Sequence, residues 1–258
     1  MTMKLTDLLL NLLFPPKCVS CGDVIRYDST EALCKICRSK YEIEKGFFCP
    51  ECNVVHADCL CMPKALEKYA TEALHLVEYV KEDSPARDMI LFAKDQDYEY
   101  LNRFLTSEIA CLFERRDISL DGALVTYVPR SRKKQIKHGV DQAREVAKRL
   151  AKRYECEFAS LFLHKDSDEQ KHLSAESRKV NTQGAYSLKE KQRSAVKGKH
   201  IILYDDVITT GATLLACASL LKKAGASGIT VVTFGKTYRT EKKDKNPVLK
   251  QKGNRYGR

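Results

Sequence analysis

The chain has 258 residues, enough to bury a real core as one large domain or two smaller ones. Hydrophobic residues at 43% and charged residues at 31% are the balance of a globular protein, and no apolar stretch is long enough to span a membrane. The formal charge of +11, from 45 basic and 34 acidic residues, favours polyanionic partners, nucleic acid above all, or else reflects a solvated surface with a basic tail.

Residues 1–16 read as a leading amphipathic helix, with Leu5, Leu8, Leu9, Leu12 and Leu13 on one side. Its only basic residue is Lys4, so a packing helix is expected rather than a membrane anchor. The apolar run Leu8 to Phe14 is short, interrupted by Asn11 and closed by Pro15-Pro16, without a small-residue cleavage site. That is no export signal, and a cytoplasmic protein with reduced cysteines is expected.

Eight of the eleven cysteines then fall in close pairs over residues 17–62: Cys18 and Cys21, Cys34 and Cys37, Cys49 and Cys52, Cys59 and Cys61. A CxxC turn sets two thiolates on one side of a knuckle, and two knuckles close a tetrahedral zinc site. The simplest pairing is sequential, giving two structural zinc ions, although a cross-braced pairing of the same knuckles stays open. His56 is near enough to replace a ligand in the tighter second set.

From residue 63 the pattern becomes alternating strands and helices up to residue 236. Residues 62–74 read as a linker or short helix, His75 to Val80 as a strand, and Pro85 to Phe92 and Tyr98 to Phe113 as helices. Ala123 to Val128 is an apolar strand running into Pro129 and a basic loop. Arg130, Ser131 and Arg132 suit a pyrophosphate-holding loop at a sheet edge, or an exposed basic turn. A helix over Asp141 to Tyr154 and a strand over Phe158 to Phe162 follow. Residues His164 to Gly184 are strongly polar, as in loops that close over charged substrates, and Lys171 and Arg178 are the candidate cations there.

The most informative stretch runs from Ile201 to Thr213. Ile201 to Tyr204 is a buried-strand run, ended by the adjacent carboxylates Asp205 and Asp206. Then come Thr209, Thr210, Gly211, Ala212 and Thr213, and a helix that Gly225 stops. A helix start offers unpaired N–H groups and the positive dipole end to a phosphate dianion. The threonines add hydroxyl donors, and Gly211 lets the backbone approach closely. The carboxylates suit vicinal ribose hydroxyls, directly or through a divalent cation. This turn resembles the PRPP-binding signature of type I phosphoribosyltransferases. Gly228 to Phe234 supplies a last strand, and residues 237–258 form a basic tail expected to be disordered.

Taken together, the chain resembles the ComF family. The likeness rests on Phe14-Pro15-Pro16, the paired cysteines, the loop Val128 to Arg132, the run from Gln170 through Leu173-Ser174, Arg178 and Asn181 to Gly184-Ala185-Tyr186, and the turn Asp205 to Thr213. It departs at His138-Gly139-Val140-Asp141-Gln142, where the family usually has Arg-Gly-Phe-Asn-Gln, so a carboxylate replaces an amide near the presumed pyrophosphate. The resemblance implies an α/β fold, a mainly parallel sheet covered by helices of the type I phosphoribosyltransferase kind, behind a small double zinc ribbon. It also implies PRPP with magnesium as ligands, and action in DNA uptake during natural transformation, with single-stranded DNA and the family's DNA-uptake helicase as partners. Asp205 and Asp206 are then the candidate catalytic residues, although ribose binding occupies both. The rival reading is a metabolic phosphoribosyltransferase that transfers phosphoribosyl to a small nucleophile.

Overall fold

The computed structural model describes residues 15–25, 31–80, 83–95, 99–131, 136, 141–164 and 184–238. The expected leading helix, the polar run after His164 and the basic tail after Tyr238 lie outside them. Among the described residues the strands are β1 (Glu72–Glu78), β2 (Leu124–Tyr127), β3 (Glu157–Phe158), β4 (Phe162–His164), β5 (Tyr186–Leu188), β6 (His200–Ile208) and β7 (Gly228–Lys236). The helices are α1 (Lys35–Lys45), α2 (Lys64–Glu67), α3 (Pro85–Asp95), α4 (Glu99–Arg115), α5 (Gln142–Arg153), α6 (Arg193–Val196) and α7 (Ala212–Lys223).

Strands β1, β2, β6 and β7 are buried through most of their length, as expected of a sheet with helices on both faces. They form a parallel sheet with β3, in the order β1-β7-β6-β2-β3. From β2 the chain crosses through α5 to β3 on one side, and from β6 it crosses through α7 to β7 on the other. Because parallel crossovers are right-handed, these opposite directions put α5 and α7 on opposite faces. Val146 and Leu150 of α5 accordingly join one apolar cluster, and Leu214, Ala218 and Leu221 of α7 join the other. The sheet reverses between β2 and β6, and their carboxyl ends bound the crevice where α/β sheets bind ligands.

Three expectations about strands are corrected. β1 starts at Glu72 rather than His75, paired with Thr230 of β7. The strand expected over Phe158 to Phe162 is two strands in different sheets. Ala159 N–H donates to Val125 O, completing the β2–β3 edge, and the chain then turns out to pair β4 with β5, antiparallel. Finally, the carboxylates do not end β6. It runs on to Ile208, because β7 is long enough to pair Asp205 with Thr233 and Ile208 with Lys236.

The cysteine module is built into the same core. Tyr41 of α1 is fully buried, stacked on Phe234 of β7 at 6.0 Å and edge-on to Phe104 of α4 at 5.6 Å. Its hydroxyl donates to the buried Glu108 carboxylate (3.0 Å), which also takes Lys45 and Arg38, each at 2.9 Å. Glu44 accepts the Ala86 N–H at the start of α3 (3.1 Å), beside Ser84, whose Oγ accepts the Arg87 N–H (3.1 Å).

Candidate functional site

The cysteines gather as Cys18, Cys21, Cys34 and Cys37, and as Cys49, Cys52, Cys59 and Cys61, each set with its sulfurs within 4.8 Å of one another. Cys21 and Cys34 sulfurs lie 3.6 Å apart, and those of Cys52 and Cys59 lie 3.5 Å apart. A tetrahedron with Zn–S bonds of about 2.3 Å has edges of about 3.8 Å, so both sets fit zinc. The pairing is sequential, and His56 is not a ligand. It is fully buried outside the second set, where its Nδ1 lies 3.2 Å from the Tyr238 hydroxyl, which is itself 3.0 Å from His75 Nε2. Burial, and then the Lys236 ammonium, hold His56 down to about 4 and His75 down to about 3, so both rings are neutral near pH 7.

The central turn sits at the sheet's carboxyl edge, on the switch point. One oxygen of Asp205 accepts the Asp206 N–H (2.9 Å), and one oxygen of Asp206 accepts the Val207 N–H (2.8 Å). The second oxygen of Asp206 lies 3.7 Å from Lys94 Nζ, at the end of α3. Burial, and then the Asp206 carboxylate, push the Asp205 carboxyl well up from its ordinary value. Gly211 precedes α7 with φ +73°, and the Thr210 hydroxyl oxygen accepts the Ala212 N–H at 3.4 Å. Thr209 and Thr210 are exposed there, and Thr213 meets the Tyr186 hydroxyl of β5. At its other end α7 closes as the glycine predicted: Gly225 N–H donates to Lys222 O and Ala226 N–H to Leu221 O.

Gly211 answers to a second constraint that the sequence did not signal. A Cβ there lies 2.8 Å from Pro63 Cγ, so the segment leaving the second cysteine set rests directly on the turn. Gly211→Ala is expected to destabilise the chain by about 1–3 kcal/mol, from left-handed strain plus the clash. In thermal unfolding, Pro63→Ala in the Gly211→Ala background recovers the clash portion alone.

The basic loop leaves β2 beside this turn, where Val128 N–H donates to Tyr204 O. Arg130 is half-buried, its guanidinium donating to Lys94 O (3.1 Å) and Ala93 O (3.4 Å) at the carboxyl end of α3. Reaching a pyrophosphate therefore means giving up those bonds. Ser131 follows at the loop's lip, while Arg132, Lys171 and Arg178 lie outside the described residues. Asp141, the departure noted above, accepts the Arg130 N–H at 2.9 Å. Burial pushes its carboxyl up, countered by that N–H.

Residues 137–253 match the phosphoribosyl transferase domain, and residues 9–64 match the double zinc ribbon domain. The DNA utilization protein YhgH of Escherichia coli (strain K12) is 26% identical over 209 residues, covering 77% of this chain and 88% of that protein. Competence protein ComFC of Bacillus subtilis (strain 168) is 27% identical over 211 residues, covering 79% and 84%. The chain fits the ComF family. Its fold is the type I phosphoribosyltransferase kind behind a double zinc ribbon, and the two cysteine tetrads support structural zinc. Among solved structures, a glutamine phosphoribosylpyrophosphate amidotransferase from B. subtilis matches at 16% identity and a TM-score of 0.35, covering 66% of this chain and 30% of that one. No described helix of the chain is long and apolar enough to cross a membrane.

Proposed function

We propose that the protein binds PRPP at the Asp205 to Thr213 turn and acts in the cytoplasm in DNA uptake during natural transformation, contacting single-stranded DNA and the family's DNA-uptake helicase. The observation that carries the ligand is the turn itself. Two carboxylates stand near the carboxyl end of the central strand, each with one oxygen tied to backbone, and the start of α7 lies beyond a left-handed glycine. The remaining carboxylate oxygens accept the ribose hydroxyls, and the first N–H groups of α7 hold the 5-phosphate. Pyrophosphate lies toward the loop Arg130 to Arg132. Asp205 and Asp206 are hard oxygen donors that fit magnesium shared with the substrate, and the ion supplies charge neutralisation at the leaving group.

If phosphoribosyl transfer occurs, the bond from the anomeric carbon to pyrophosphate breaks with its electron pair leaving on pyrophosphate. The acceptor's lone pair makes the new bond, and its proton passes to solvent. Calorimetry of the zinc-loaded chain with PRPP and magnesium tests the binding, and a flat isotherm rejects it.

The DNA reading draws on the relatives named for DNA utilization and competence, and on the charge of +11. Nothing in the sequence reads as a base-reading helix, so little sequence preference and dominant phosphate contacts are expected. Lys236, directly before the basic tail, is buried at the end of β7, and Arg130 is engaged with α3. The contacts therefore fall mainly to the eight lysines and arginines from Arg239 onward. Fluorescence anisotropy should show log affinity falling against log salt by about 0.7 per neutralised phosphate. Removing residues 239–258 should flatten that slope and leave PRPP binding intact, whereas neutralising Arg130 and Arg132 should impair PRPP binding too. No affinity at low salt would favour the metabolic transferase.

A further inference from the structure

The Tyr238 hydroxyl, just past the end of β7, has three polar neighbours beside the second cysteine set. His75 Nε2 of β1 lies 3.0 Å away and His56 Nδ1 of the ribbon 3.2 Å away, and the third is the Cys49 sulfur, to which the hydroxyl is hydrogen-bonded. We propose that Tyr238 is a positioning residue for the second zinc. Its O–H donates to the Cys49 thiolate, and the two histidines hold it there by donating their N–H groups to its oxygen. This rests on the second tetrad holding zinc.

The count of protons sets the direction of each bond. A phenol offers one O–H and two lone pairs, a neutral imidazole offers one N–H, and a metal-bound thiolate only accepts. Both rings are fully buried, and among the described residues their far nitrogens, His56 Nε2 and His75 Nδ1, have no partner. A Tyr238 proton sent to either ring would force that ring's own N–H onto its far nitrogen. That leaves a buried donor with no acceptor, which folded proteins rarely tolerate. The Cys49 thiolate would at the same time face an oxygen lone pair. Sending the proton to sulfur removes both costs. Both rings then donate, and each far nitrogen is left with a lone pair, the less costly orphan. The bond to sulfur is charge-assisted.

The surroundings fix the tyrosine in that role. The His56 and His75 rings lie 5.5 Å apart on either side of the join between ribbon and sheet. The Lys236 ammonium stands 4.6 Å from the centre of the Tyr238 ring, with its Nζ donating to Glu51 Oε2 (2.8 Å) and to Cys61 O (3.0 Å). The backbone N–H groups of Glu51 and Cys52 also face the fully buried Cys49 sulfur, so Tyr238 adds a donor from outside the ribbon. Four thiolates around one divalent ion leave a net negative charge, and hydrogen bonds to sulfur disperse it.

The test uses the full zinc-loaded chain and Tyr238→Phe, which keeps the ring and removes the O–H. In competition with a chromophoric chelator, one zinc ion should be held about 10–100-fold more weakly than in the native chain and the other within about twofold. With cobalt(II) in place of zinc, the sulfur-to-metal charge-transfer absorption of the weakened site should move to lower energy, because a thiolate without its hydrogen bond gives up electron density more easily. A variant that melts earlier, yet keeps both affinities and the cobalt spectrum unchanged, has lost packing alone and overturns the proposal. Nitrogen-15 spectra of the native chain give an independent reading, which decides if Tyr238→Phe does not fold. His56 should carry its proton on Nδ1 and His75 on Nε2, and either ring in the other tautomer overturns the proposal. A native chain that binds only one zinc rejects the second zinc site itself, and the role of Tyr238 falls with it.

Discussion

Stripping zinc from this protein should unfold more than its cysteine module. Structural zinc in small ribbons contributes about 10–16 kcal/mol near pH 7, as much as the whole stability of an ordinary domain, about 5–15 kcal/mol. Elemental analysis should find two zinc ions per chain, one for each tetrad. Chelation should abolish protease resistance in the N-terminal third. It should also lower the melting temperature of the sheet, because Tyr41 belongs to a core shared with Phe104 and Phe234. A metal-free chain with an unchanged, protease-resistant N-terminal third would refute this.

The second large effect belongs to the carboxylate pair. Asp205→Asn with Asp206→Asn should weaken PRPP binding by about 100-fold or more, two charge-assisted hydrogen bonds at about 1.5 kcal/mol each or better. The same change at Asp205 alone should stabilise the ligand-free chain. Its carboxyl sits above its ordinary value through burial and the Asp206 carboxylate, so the folded state holds the proton more tightly than the unfolded state does. Below the unfolded value of about 3.9 both states are protonated and the native residue carries no penalty. The penalty develops as pH rises through the raised folded value, which is the sign expected when ν_N exceeds ν_U. Asp205→Asn should therefore raise the melting temperature by about 2–4 °C per kcal/mol relieved at pH 8, and by nothing near pH 3. A gain that is the same at both pH values would show that the carboxyl's charge is not the cause.

What the sequence made legible was chemistry written in neighbouring residues. The cysteine pairs come together in the order of their spacing, and the turn from Asp205 to Thr213 sits on the central strand with its glycine left-handed. Contacts between distant residues were not legible. Lys236 stands in the sequence directly before the basic tail, with no acidic residue adjacent to it in the chain. Parallel register with β6 sets it opposite Ile208, and Glu51, far away in sequence, supplies the counter-charge that makes its burial tolerable. Nothing in Pro63 announced that it would lie under Gly211. The departure at Asp141 was visible, but its local consequence was not. The carboxylate accepts the Arg130 N–H, a bond that the side-chain oxygen of an asparagine can also accept, so this hold on the loop does not depend on the charge.

The burial of Tyr41 bears on how the chain can be divided. Residue 64 ends the match to the zinc ribbon, and cutting there looks like separating an accessory from an enzyme. The core has no seam at that position. A chain beginning at residue 65 leaves an aromatic socket open between Phe104 and Phe234, and leaves Glu108 deprived of the tyrosine and both cations that satisfy it. The two halves are severable as sequences and inseparable as solids, so insertions and fusions are better tolerated at exposed turns than at the join between the two matches.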